Sequence, residues 1–74
     1  MSKHQYCVVI FHSISGALRA EKLLKNDFHI KLIPVPRHIS SDCGICLRFE
    51  PSDEQQVRKV LETGKVETQG IHQI

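Results

Sequence analysis

The stretch RHISSDCGICLRF, Arg37 to Phe49, holds two of the three cysteines of this chain at C-x-x-C spacing. Such a pair can serve dithiol redox chemistry, ligate a metal, or split into one reactive thiol and one packed neighbour. In a redox pair of the thioredoxin kind, the motif lies where a strand gives way to a helix, whose N-terminus lowers the thiol pKa. Here the residues after Cys43 are Gly-Ile-Cys-Leu-Arg-Phe, which read as strand. Two cysteines three steps apart in a strand have Cα atoms about 10 Å apart and point to opposite faces. A disulfide needs Cα atoms closer than about 7 Å, so a bridge requires Cys43 to sit in the turn before the strand. A structural zinc site wants four Cys or His ligands, usually as two pairs. The chain has one C-x-x-C, and His12, His38 and His72 follow no ligand spacing, so no metal is expected.

The third division assigns different work to the two sulfurs. Cys46 becomes a small strand residue, packed against its neighbours. Cys43 becomes a thiol at the mouth of a loop, beside Gly44, whose backbone can adopt φ > 0 or approach another group closely. Arg37 and His38 lie a few residues upstream, where cationic groups stabilise a thiolate. Ser40, Ser41 and loop N–H groups supply hydrogen-bond donors. A nucleophilic or group-carrying sulfur needs these neighbours. The bland alternative makes Cys43 structural and Arg37 a cap of the loop. Cys7, inside an apolar run, reads as a buried small hydrophobe.

The elements that must position this loop follow from hydrophobic pattern. Residues 6–11, YCVVIF, are a continuous apolar run, as in a central strand covered on both faces. A helix is expected over about residues 14–26, capped by Ser13 or Ser15, with Ile14, Ala17, Leu18 and Leu24 on its inner side. FHIKLIPV (28–35) reads as a second strand, with Ile30 and Leu32 on one side and Lys31 and Ile33 on the other. It stops at Pro34 and Pro36, because proline cannot donate to a central ladder. The next segment, to Asp42, reads as a structured loop. In GICLRFEP, Ile45, Leu47 and Phe49 share one face of a third strand, and Cys46, Arg48 and Glu50 share the other. SDEQQVRKVLETG predicts a helix with Ser52 or Asp53 as N-cap, Gly64 as its C′ residue and Val57, Val60 and Leu61 as its apolar stripe. GIHQI (70–74) is a short fourth strand. The order β-α-β-β-α-β is the ferredoxin-like arrangement: an α+β domain over residues 1–74, an antiparallel four-stranded sheet and two helices on one face. The other face is expected to be open, with Cys46 and Arg48 on it, and to serve homodimerisation or partner docking.

Bulk composition narrows the class of function. With 74 residues, 41% hydrophobic and 24% charged, the chain reads as one folded domain. A domain this small buries only roughly 60% of its unfolded surface and has a thin stability margin. The net charge of +2 is slight. Lys22, Lys25, Lys31, Arg37 and Arg48 are scattered, and Tyr6 with three phenylalanines forms no evident stacking platform, so no nucleic-acid partner is expected. No apolar run approaches the roughly 20 residues of a membrane span, and 6–11 is too short for a signal-peptide core. A cytoplasmic protein is the expectation, and there three cysteines act as thiols and not as a disulfide framework.

The segments ALRAEKLLK and IPVPRHISSDCG resemble a family of small bacterial and archaeal selenium/sulfur carrier-like proteins. Its pattern, P-x-P-R-x-[IL]-S-S-x-C-G, falls on Pro34, Pro36, Arg37, Ile39, Ser40, Ser41, Cys43 and Gly44, after a helix with Ala17, Glu21, Lys22 and Leu24 in the family rhythm. The resemblance implies that Cys43 is the functional cysteine, with Arg37, Ser40 and Ser41 around it. It also implies a carrier that accepts sulfur or selenium as a persulfide or selenosulfide, passes it between donor and acceptor proteins, and needs no cofactor. Cys46 stands outside the pattern and leaves a resolving thiol open. Two other functions remain at this level: a non-catalytic adaptor binding an anion or partner through the Arg37 to Gly44 loop, and a thiol oxidoreductase using Cys43 and Cys46. A carrier or binding protein fits the chain better than a turnover enzyme.

Overall fold

A computed structural model describes residues 5–39 and 44–74. Its elements run β1 (Cys7–Phe11), α1 (Ile14–Leu24), β2 (Lys31–Pro34), β3 (Ile45–Phe49), a 3₁₀ turn (Pro51–Asp53), α2 (Glu54–Thr63) and β4 (Thr68–Gln73). The four strands form one antiparallel sheet in the order β2-β3-β1-β4, and the fold is the expected α+β, ferredoxin-like arrangement. β1 lies between β3 and β4, which is why all five of its residues are apolar and buried.

Alternate residues of the central strands enter two separate apolar clusters. Cys7, Val9, Phe11, Leu47 and Phe49 pack under the helices with Ala17, Ala20, Leu24, Val57 and Leu61. Val8, Ile10 and Cys46 face the other way and pack with Ile39, Ile33 and Val35. The second face is therefore not bare. The segment that leaves β2 folds across it and buries Ile39 against the strands.

Several local expectations are corrected. α1 is shorter than predicted and turns Ala17, Ala20 and Leu24 inward, whereas Ile14 and Leu18 are 51% and 48% exposed. The reason is the 100° step: residues 17, 20 and 24 form a narrow stripe that small side chains let settle close to the sheet, and 14 and 18 fall on its flank. Ser13 does cap the helix, its Oγ accepting from the Gly16 N–H at 3.3 Å. The second strand begins at Lys31, not at residue 28, and the fourth extends back to Thr68. Pro34 ends β2, an edge strand, where a missing N–H is tolerated.

At α2, Asp53 is the N-cap but its side chain makes no capping bond, and Ser52 lies in the preceding 3₁₀ turn. Gly64 is the C-cap with φ −80°, and Lys65, not Gly64, takes the left-handed conformation at φ 55°. Glycine at 64 also leaves room for a neighbour: a Cβ there would stand 2.6 Å from Leu23 Cδ1 of α1, and that exposed side chain would have to turn aside. The Gly64 carbonyl also accepts from Arg19 Nη2 of α1 at 2.9 Å, fastening the end of α2 to its neighbour.

Candidate functional site

The pleat fixes where the cysteine-bearing loop starts and stops. β2 and β3 pair with Pro34 opposite Ile45, and one step further the Val35 N–H donates to the Gly44 carbonyl at 3.1 Å. The ladder thus ends on Gly44, and the motif residues 35–43 form the connection between two paired strands. Gly44 has φ +79°, and a Cβ added to it would meet nothing within 4 Å. Glycine is required at 44 by its dihedral and not by crowding.

On the other limb, the Ile39 N–H donates to the Pro36 carbonyl at 3.0 Å. This closes a turn with Arg37 and His38 at its two central positions, both of them exposed. Pro36 fixes φ at the entry to that turn. Ile39 then drops into the second apolar cluster with Val8, Ile10 and Cys46. The loop is pinned at both limbs, by Ile39 in the cluster and by Gly44 at the ladder's end. Ser40, Ser41 and Cys43, expected from sequence to be the hydroxyl donors and the reactive thiol, lie outside the described residues. Of the remaining site residues, Arg37 and His38 stand together at the turn, Gly44 at the strand mouth, and Cys46 beneath the sheet's covered face.

Cys46 is fully buried, and its thiol donates to the Pro34 carbonyl at 3.9 Å. That geometry agrees with the reading of Cys46 as a packed strand residue. Cys7 is also buried, on the opposite face, with Sγ 4.0 Å from Glu54 Oε1. Burial pushes the Cys7 thiol above its ordinary 9.0, and the Glu54 carboxylate adds to the rise while Arg58 opposes it. It is a protonated core thiol at neutral pH, as expected from its place in β1.

Two features are missed by sequence reasoning. The first is Ile39 as an anchor. Its signal is present in the pattern: Val8, Ile10, Ile33 and Cys46 make the outward parity of three strands apolar, so something has to cover them. The second is Arg48, whose guanidinium carbon lies 4.1 Å from the centroid of the Tyr6 ring. The two are far apart in sequence, and only the β1–β3 register makes them neighbours.

No helix among the described residues is long and apolar enough to cross a membrane. No solved structure matches the chain. A curated relative, an uncharacterised protein of Methanocaldococcus jannaschii, is 30% identical over 59 residues, or 80% of this chain, and the chain spans about 30% of that relative's length. A family model described as "Putative Se/S carrier protein-like" matches residues 6–73, from the start of β1 to the end of β4, and so takes in both limbs of the loop and everything that pins them. The chain belongs to this Se/S carrier protein-like family.

Proposed function

We propose that the protein carries sulfur or selenium on Cys43 between a donor and an acceptor protein. Membership of the Se/S carrier-like family over residues 6–73 is the observation that carries this reading. The anchoring supports it: a group-carrying thiol must be presented to two partners in turn, and the segment that bears Cys43 is held on either side, by Ile39 in the apolar cluster and by Gly44 at the end of the ladder.

In the loading step the Cys43 thiolate attacks the outer sulfur of a donor persulfide. The new S–S bond forms on Cys43 as the donor's S–S bond breaks, and the donor leaves as a thiolate. The transferred atom keeps its oxidation level, so no oxidant is consumed. In delivery, an acceptor thiolate attacks the same outer atom and Cys43 is released as a thiolate. A selenium donor follows the same course through a selenosulfide. Arg37 stabilises both anions of Cys43, and Ser40, Ser41 and the Gly44 N–H donate hydrogen bonds to them. Cys43 returns unchanged, so the protein is a carrier and not a turnover enzyme.

Mass spectrometry tests this directly. Wild-type protein incubated with a cysteine desulfurase and cysteine gains the mass of one sulfur atom, reversed by a thiol reductant. Cys43→Ser gains nothing, and Cys46→Ala loads as the wild type does. Sulfur incorporation that survives Cys43→Ser, or none in the wild type, overturns the assignment. Loading that fails in Cys46→Ala would instead make the two cysteines a working pair.

A further inference from the structure

We propose that the sheet face opposite the helices is a docking surface for a carboxylate-rich segment of a partner protein, seated on Lys31 and Arg48. The register aligns one row across all four strands on this face: Lys31 pairs with Arg48, Arg48 with Val8, and Val8 with His72. Val8 belongs to the cluster beneath the loop, which assigns the whole row to the side away from the helices. Lysine and arginine directly opposite each other on adjacent strands repel, an arrangement that works against sheet stability. Among the described residues neither side chain has an ion pair or a hydrogen bond, so no carboxylate there neutralises their charge.

Arg48 is held in place all the same. Its guanidinium lies over the Tyr6 ring, 4.1 Å from the centroid, a contact with the face of the cation that still allows its N–H groups to donate to a carboxylate. Lys31 and His72 are exposed on either side. Among the strand residues and Glu50, which follows β3, Glu50 is the one carboxylate whose parity puts it on this face. The surface is therefore cationic with an aromatic floor, directly below the apolar row Ile33–Cys46–Ile10 that the loop covers. Arg37 and His38 extend the basic character into the turn above.

A second copy of the chain does not suit this face. A two-fold contact would set Lys31 and Arg48 of one copy against the same residues of the other. A donor or acceptor presenting acidic side chains is attracted instead, and lands beside the loop that holds Cys43. The identity of that partner as a chalcogen donor or acceptor rests on the carrier reading above.

Isotope-labelled Cys43→Ser protein, titrated with hexaglutamate peptide and followed by amide NMR shifts, tests the surface with no chalcogen present. The expected perturbations cluster at Val8, Lys31, Arg48 and His72 and fade as salt rises through about 0.1 M, where screening sets in at roughly 10 Å. K31E/R48E, with folding checked by its dispersed spectrum, should bind at least about tenfold more weakly. K22E/K25E, on the exposed side of α1, should bind as before. Perturbations centred on Lys22 and Lys25, unchanged binding by K31E/R48E, or tighter binding of a single-stranded oligouridine than of hexaglutamate would overturn the proposal. So would self-association through this face in sedimentation. Because the probe is read on Cys43→Ser, failure here leaves sulfur loading untouched, and failed loading of the wild type leaves the docking result standing.

Discussion

The two faces of this sheet are closed by different means. On one, two helices bury Phe11, Leu47, Phe49 and their neighbours in a cluster built on the central strands. On the other, the segment after β2 covers Val8, Ile10 and Cys46, burying Ile39 and packing Val35 against them. The same central strands serve both, and each supplies a cysteine: β1 gives Cys7 to the helix side and β3 gives Cys46 to the loop side. What differs is the purpose of the covering element. The helices make the domain stable, whereas the turn anchors one end of the segment on which the carrier proposal places the chemistry.

Truncation on each side separates those purposes, and the largest effect belongs to the helix side. Phe49→Ala should cost about 3–5 kcal/mol. For a domain this small, total stability is on the order of 5 kcal/mol, so the variant should be largely unfolded by circular dichroism at room temperature. Ile39→Ala sits at the edge of the smaller cluster, where the turn can settle into the space, and should cost about 2 kcal/mol in urea unfolding. Its sulfur loading should fall further than its stability, because the loop loses one of its two pins. If Ile39→Ala unfolds as readily as Phe49→Ala, the division of labour between the faces is wrong.

Gly44, the other pin, gives a smaller and more specific effect. With φ +79° and open space where a Cβ would stand, an added methyl group meets no clash, only an unfavourable dihedral. Gly44→Ala should therefore cost about 1–2 kcal/mol, the left-handed penalty for an L-residue. Gly44→Asn should cost less, since asparagine tolerates that region. Equal costs for the two would mean that packing, and not backbone conformation, governs the position.

Much of this is legible in the residues themselves. The apolar run of β1, the alternation of β3 and the two helical patterns suffice for the element order, and the order suffices for the sheet. Element ends are less legible, for reasons of packing. Gly64 does end its helix, but the left-handed step falls on Lys65, and the room that Gly64 leaves for Leu23 is a contact between helices that no local pattern announces. Ile14 and Leu18 look internal because they are apolar, but only a narrow stripe of α1 reaches the sheet. Within the site, PRHISSDCG and the glycine at its end are visible at once. The adjacency of Lys31, Arg48 and Tyr6 is not: their scatter in sequence becomes a surface only through strand register.

The smallest effects concern Cys7, the cysteine of the helix side, and they distinguish it from any reactive thiol. Its pKa is raised by burial first and by the Glu54 carboxylate second. The unfolded chain ionises Cys7 near 9.0 and the native state only above that, so below pH 9 its contribution to stability is whole. As pH rises past 9 the unfolded state binds fewer protons than the native one, and stability declines until the native thiol ionises too. Urea unfolding between pH 7 and 10 should show this slope in the wild type and a shallower one in Cys7→Ala, the other titrating groups being common to both. Glu54→Gln should flatten it in part. Arg58→Ala should steepen it, since the Arg58 charge favours the thiolate. The exposed Glu54–Arg58 pair, 2.9 Å apart one helical turn from each other, should add only about 0.3–0.5 kcal/mol at neutral pH. A thiol that alkylates readily at pH 7 and proves to be Cys7 would reverse the assignment of the two faces. A sluggish Cys7 whose influence appears only above pH 9 is a purely structural thiol, as its burial on the helix side requires.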